Sequence, residues 1–202
     1  MDNALNDSAP ITARPGGIGT GPVALAHLTI VLALLGIFLA AASWHALSAS
    51  PLAAGLSVVT GLLAGAIVTT LVHEWFHYAG ALAVRGHCHR VQRINLFAFD
   101  WDFKRNTRVQ FLVMSYAGTL GSMVAITLLY VTLSAPTPGA VALLAAAVGS
   151  LAFAGAIEWP VLARVHAGGD PFTELSKITP RVLLLSAAVS VLTALLTGWM
   201  LA

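Results

Sequence analysis

The chain of 202 residues is 58% hydrophobic and only 9% charged, with a formal net charge of +2. Soluble domains carry about 25% charged residues, so this composition excludes an ordinary soluble domain and points to one membrane domain. So small a charge, with no basic aromatic-rich patch, excludes nucleic acid as a partner. Cys88 is the single cysteine, which rules out an intrachain disulfide.

Residues 1–21 are polar and rich in Gly and Pro, and read as a short disordered tail and not as a signal peptide. Residues 22–202 read as a single membrane-embedded domain. Five apolar segments follow, near 22–46, 52–85, 109–133, 139–165 and 181–202. Each is long enough for the roughly 20 residues that a crossing helix needs. Pro and Gly punctuate the breaks near 48–51, 135–139 and 166–171, whereas charge marks the one at 86–108. The expected fold class is an all-α polytopic membrane protein with a short, membrane-associated β-like hairpin between spans two and three.

Five crossings put the tail, the 86–108 loop and the 166–180 loop on one side. All ten Lys and Arg lie on or at the edge of that side, from Arg14 to Arg181. The positive-inside rule then gives a cytoplasmic N-terminus and an outside C-terminus in the cell (inner) membrane.

Span two contains His73-Glu74-Trp75-Phe76-His77, an HExxH pattern. Positions i and i+4 share one helical face, so both imidazoles can reach one ion. Glu74 beside them can take a proton from water activated by that ion, which is the chemistry of metal-assisted peptide hydrolysis. With 7 His and 3 Glu in the chain, a chance HExxH has a probability of about 0.4%. Unpaired charge inside a bilayer is also costly, at about 2.5–3.5 kcal/mol per group on insertion scales. A metal offsets that cost where simple packing does not.

HExxH inside a membrane span resembles the site-2 protease family of intramembrane zinc metalloproteases. The resemblance implies one Zn2+ per chain, held by His73, His77 and an aspartate from a later span within an N-P…D-G type motif. Asp170 in HAGGDPF is the best match, and Gly168 and Gly169 would let the chain turn back towards the ion. Tyr116-Ala117-Gly118-Thr119-Leu120-Gly121-Ser122 echoes the family's A-G-P-x-x-N motif in part. Here Gly118 is followed by Thr119 and Asp170 by Pro171, where the family has Pro and Gly. A plainer role for Asp170 is a helix N-cap, with Pro171 and Glu174 downstream. Glu158, an acid within span four, is the alternative third ligand, a partner for a ligating His, a group that orients substrate, or simply a partner for Arg164 or a neighbouring helix. The resemblance also implies a single-span transmembrane protein as substrate, with the lipid bilayer around both; the oligomeric state stays open.

The remaining histidines give weaker signals. His87-Cys88-His89 has metal-binding residue types, but no second pair completes a structural site, and the three read as solvated loop residues. His166 lies four residues before Asp170 and could add to the site, and His27 and His45 receive no role.

Substrate binding has a candidate in Arg93–Lys104. Phe97, Phe99, Trp101 and Phe103 alternate with Ala98, Asp100, Asp102 and Lys104, a period of two that reads as strand. Its edge could take up an extended peptide by strand addition, with Phe97, Phe99 and Trp101 against the substrate. Gly61, Gly65, Gly118 and Gly121 are expected to let helices approach closely. Rival functions are a zinc or other divalent-metal transporter, a di-iron hydroxylase, and an inactive relative that only binds membrane proteins. The transporter needs polar residues on a second span, and the hydroxylase about eight histidines with adjacent pairs. The intact Glu74 speaks against the inactive relative.

Overall fold

The computed structural model describes residues 11–12, 17–133 and 136–202. Five long helices dominate it: α1 (Thr20–Ser48), α2 (Pro51–Ala83), α3 (Arg108–Thr132), α4 (Pro138–His166) and α6 (Pro180–Leu201). A short helix, α5 (Pro171–Leu175), joins α4 to α6. All five long helices are long and apolar enough to cross a membrane, and their ends fall within two residues of the expected spans. Local chemistry sets those ends. Pro stands in the first turn of α2, α4 and α6, where its missing N–H costs nothing. Thr107, Thr137 and Thr179 each accept a backbone N–H at a helix start, and Thr107 closes a full capping box with Gln110.

Helix α2 is the hub and packs against α1, α3 and α4, while α6 leans chiefly on α4. The α2–α4 contact is a backbone-to-backbone approach. A Cβ on Gly65 would stand 2.0 Å from the Leu143 carbonyl oxygen, and one on Gly61 would stand 2.5 Å from that of Gly139. Two apolar clusters fill the bundle. One, around Phe38, Ala64, Leu143 and Leu144, lies far from the charged loops. The other, around Ala81, Phe111, Met114, Val161 and Val165, lies near them. The outer faces of α1 and α6 remain lined with exposed leucine and valine, as lipid contact requires.

The segment between α2 and α3 differs from the expected strand. Within Arg93–Lys104 the strand is limited to Asp100–Trp101 (β3), antiparallel to Cys88–His89 (β2), which pairs in parallel with Ile11–Thr12 (β1). Residues 92–99 are irregular. Phe97 is exposed, whereas Phe99, Trp101 and Phe103 fold inward onto the cluster of Phe111 and Val165. The period of two is therefore realised as packing over a much shorter strand. Cys88 is fully buried and not solvated, and His89 pairs with Asp102 at 3.0 Å. Within the expected tail, β1 pairs with β2 and Ile18 donates to the Val91 carbonyl. The rest of that tail, residues 1–10 and 13–16, lies outside the described residues.

Candidate metal centre

His73 and His77 lie on the buried face of α2, ten and six residues before its end at Ala83. At 1.5 Å per residue they sit about 15 and 9 Å below the charged end of the bundle. Their rings are 4.4 Å apart and nearly perpendicular, at 87°. One ligand atom each from His73, Glu74 and His77 can be chosen so that all lie within 4.8 Å of one another. The HExxH pattern thus produces the convergence that its helical spacing requires.

The acid that meets the imidazoles is Glu158 of α4. Its Oε1 stands 2.9 Å from His73 Nε2 and 3.3 Å from His77 Nε2. Helical spacing aims it there, because Glu158 shares one face with the buried Val161, Leu162 and Val165, at i+3, i+4 and i+7. Glu158 is not the partner of Arg164, which instead binds Glu174 at 2.5 Å. Asp170 is not brought to this site. It is exposed, its carboxylate accepts the Thr173 backbone N–H at 2.9 Å, and it caps α5. That hydrogen bond, and a second from the Thr173 hydroxyl, hold its carboxyl below the usual carboxylate range. The plainer role for Asp170 is the one the geometry presents.

The outer nitrogens of the two imidazoles are held as well. His77 Nδ1 donates to the Met114 carbonyl at 2.8 Å, and His73 Nδ1 lies 3.0 Å from the Ser122 hydroxyl. Such contacts fix ring orientation and turn the Nε2 lone pairs inward. Neither Met114 nor Ser122 was assigned a role from sequence. The available signal was the stripe Ser115, Gly118, Ser122, small residues at i, i+3 and i+7 that turn one face of α3 towards α2. A Cβ on Gly118 would fall 2.2–2.6 Å from three atoms of the His77 ring. Gly118 therefore lets α3 close over the histidine.

His27 was also overlooked. It is 2% exposed, accepts the Trp75 indole N–H at Nδ1 (3.0 Å) and bonds the Asn95 carbonyl through Nε2 (2.7 Å). It thereby ties α1, the HExxH turn and the α2–α3 loop together. No sequence pattern reveals that contact, since its partners lie 48 and 68 residues away. His166 lies beside the Tyr116 hydroxyl at 2.7 Å.

The donor set suits a metal ion by two observations. Oε2 of Glu158 is buried and has no hydrogen-bond partner. His77 Nε2 faces a carboxylate oxygen although the proton of the neutral ring is committed at Nδ1. Two lone pairs facing each other need a cation between them. Two imidazoles and one carboxylate are a zinc-type ligand set that leaves a coordination position open. A cavity of about 140 Å³ adjoins His77 and Glu158 and is walled by Phe103, Phe111, Met114 and Leu162. Phe103 also lines a second cavity of about 510 Å³ at the charged end, together with His89, Asp102 and Asp170. Comparison with protein-family models, curated proteins and solved structures yields no match, so the site is interpreted from its own geometry.

Proposed function

We propose that the chain is an intramembrane zinc metallopeptidase in which His73, His77 and Glu158 hold one ion and Glu74 handles the proton. The observation that supports this best is Glu158, whose Oε1 reaches both Nε2 atoms from a different helix. In this proposal Glu158 takes the part that the resemblance to site-2 proteases suggested for Asp170. Zinc in such a site supplies an acidified water at neutral pH and polarises a peptide carbonyl. Glu74, adjacent to His73, accepts a proton from water and returns it to the departing amine. Met114 and Ser122 hold the imidazole planes during this transfer. Phe103, Phe111 and Leu162 limit bulk water at the site, which strengthens each electrostatic contact.

The substrate in this proposal is a single-span membrane protein entering from the bilayer, and the charged end of the bundle faces the cytoplasm. The outer edge of β3 would hold it extended, with the exposed Phe97 nearby, while Phe99 and Trp101 pack inward and support that edge. Zinc stoichiometry and cleavage of a fluorogenic transmembrane peptide test the proposal on four proteins. Wild type and Asp170→Ala are expected to keep both properties, Glu74→Gln to keep zinc and lose cleavage, and Glu158→Ala to lose both. Zinc retained by Glu158→Ala but lost from Asp170→Ala overturns the ligand set. Zinc flux into proteoliposomes that survives in Glu74→Gln favours a transporter.

A further inference from the structure

A second site lies on the opposite side of α4, between that helix and α6. A groove of about 340 Å³ opens there, walled by Ile157 and Pro160 of α4 and by Val182 and Val189 of α6, with Arg164 and Lys177 at its mouth. Pro160 stands inside α4 and has no N–H to offer the Ala156 carbonyl, so one rung of the helix's hydrogen-bond ladder is missing at the groove. From Ala156 to Arg164 the groove runs about 12 Å along the helix, at 1.5 Å per residue.

The mouth is cationic. Glu174, buried beneath it, accepts Arg164 Nε at 2.5 Å and Lys177 Nζ at 2.6 Å. One carboxylate against two cations leaves one net positive charge. It also leaves donors to spare: a guanidinium carries five N–H groups and an ammonium three, and each has given one to Glu174. The Arg164 and Lys177 side chains are 45% and 53% exposed, with Glu174 behind them.

We propose that this groove binds an anionic phospholipid, with its phosphate at Arg164 and Lys177 and one acyl chain along Pro160 and Val189. Basic residues between helices at the charged face of a membrane protein are suited to such headgroups. The dimensions favour a hydrocarbon chain over a partner helix. A helix about 10 Å across would sweep out about 900 Å³ over that length, more than the roughly 720 Å³ of empty space the groove holds even with its open mouth included. The groove meets the cavity of the candidate metal centre at Val161 and includes none of its proposed ligands, so it stands whether or not the chain is a peptidase.

Native mass spectrometry of the full chain, delipidated and titrated with phosphatidylglycerol or phosphatidylcholine, tests this directly. Wild type is expected to retain one phosphatidylglycerol at least ten-fold more strongly than phosphatidylcholine, and to gain thermal stability from it. The double variant Arg164→Ala/Lys177→Ala should lose that preference. Arg164→Lys/Lys177→Arg should keep it, which separates charge from folding damage. Val189→Trp, which fills the groove and leaves both cations, should lower retention of phosphatidylglycerol ten-fold. Equal retention of the two lipids by wild type overturns the proposal. So does phosphatidylglycerol kept by both Val189→Trp and the double alanine variant, which leaves the groove to a partner helix.

Discussion

Replacing Gly118 by alanine adds one methyl group and is expected to damage the metal centre out of proportion to its size. The new Cβ would stand 2.2 Å from His77 Cε1, 2.5 Å from Nε2 and 2.6 Å from Nδ1. To regain an ordinary contact of 3.4 Å, the ring or α3 must retreat by about 1.2 Å. Either motion strains the 2.8 Å bond to the Met114 carbonyl and moves Nε2 away from Glu158. Overpacking of this kind costs about 1–3 kcal/mol, and a misplacement of about 1 Å lowers catalysis about 100-fold. Gly121→Ala is the matched control, because its Cβ would meet Phe76 at 2.5 Å and touches no ligand. Both variants should lose thermal stability in detergent. Only Gly118→Ala should also weaken zinc binding, by ten-fold or more in a competition titration with a chromophoric chelator. Zinc affinity equal in the two variants would refute the coupling of α3 packing to the His77 ring.

Two further expectations concern residues outside that contact. Burial, and then the nearby charge of Asp102, push the Cys88 thiol from 9.0 up to about 12, so a maleimide at pH 8 should label Cys88 only after denaturation. The unfolded chain ionises first, so stability should be insensitive to this group below pH 9 and should fall as pH rises from 9 towards 12. His27→Ala leaves the Trp75 N–H and the Asn95 carbonyl without their partner, at about 1–3 kcal/mol for each buried orphan. Trypsin should then cut at Arg93 faster than in wild type, and an unchanged cutting rate would remove His27 as the tie between α1 and the loop.

The sequence disclosed the features that depend on near neighbours in the chain. Span ends were legible because Pro and Thr at the first turn act locally, and the convergence of His73 and His77 because i and i+4 share a face. The third acid was only half legible. Glu158 opens a run of Val161, Leu162 and Val165 that marks the buried face of α4, so its direction could have been read. Which helix that face meets depends on packing between α2 and α4, set by Gly61 and Gly65 against the Gly139 and Leu143 backbone. Asp170 drew attention through the company of glycines, although Asp-Pro followed by Thr173 and Glu174 is also the pattern of a helix start. The strand expected over Arg93–Lys104 shrank to two residues, since alternation of apolar side chains also arises when an irregular loop drops every second ring into a core. Neither His27 nor Ser122 could be placed, because their partners lie 48 or more residues away.

The strongest constraint on the centre is a matter of proton counting. The Met114 carbonyl can only accept, so His77 Nδ1 must donate to it, and a neutral His77 then presents a bare Nε2 lone pair to Glu158 Oε1 at 3.3 Å. That contact is repulsive unless a cation lies between the two atoms. A proton on His77 or on Glu158 meets the need in the metal-free chain; a metal ion meets it by taking both lone pairs. The two occupants exclude each other, so binding zinc must release the proton. Calorimetric titration with zinc at pH 7, repeated in buffers of different ionisation enthalpy, should therefore show about one proton released per ion. The sign follows directly: zinc affinity falls as pH is lowered, about ten-fold per unit while one proton is displaced. Alanine in place of Glu158 removes the partner that stabilises the proton, so any residual binding should release less. Full zinc binding to the wild type with no proton released would mean that the His77–Glu158 contact holds no cation before the metal arrives, and the proton-counting argument for this site would fail.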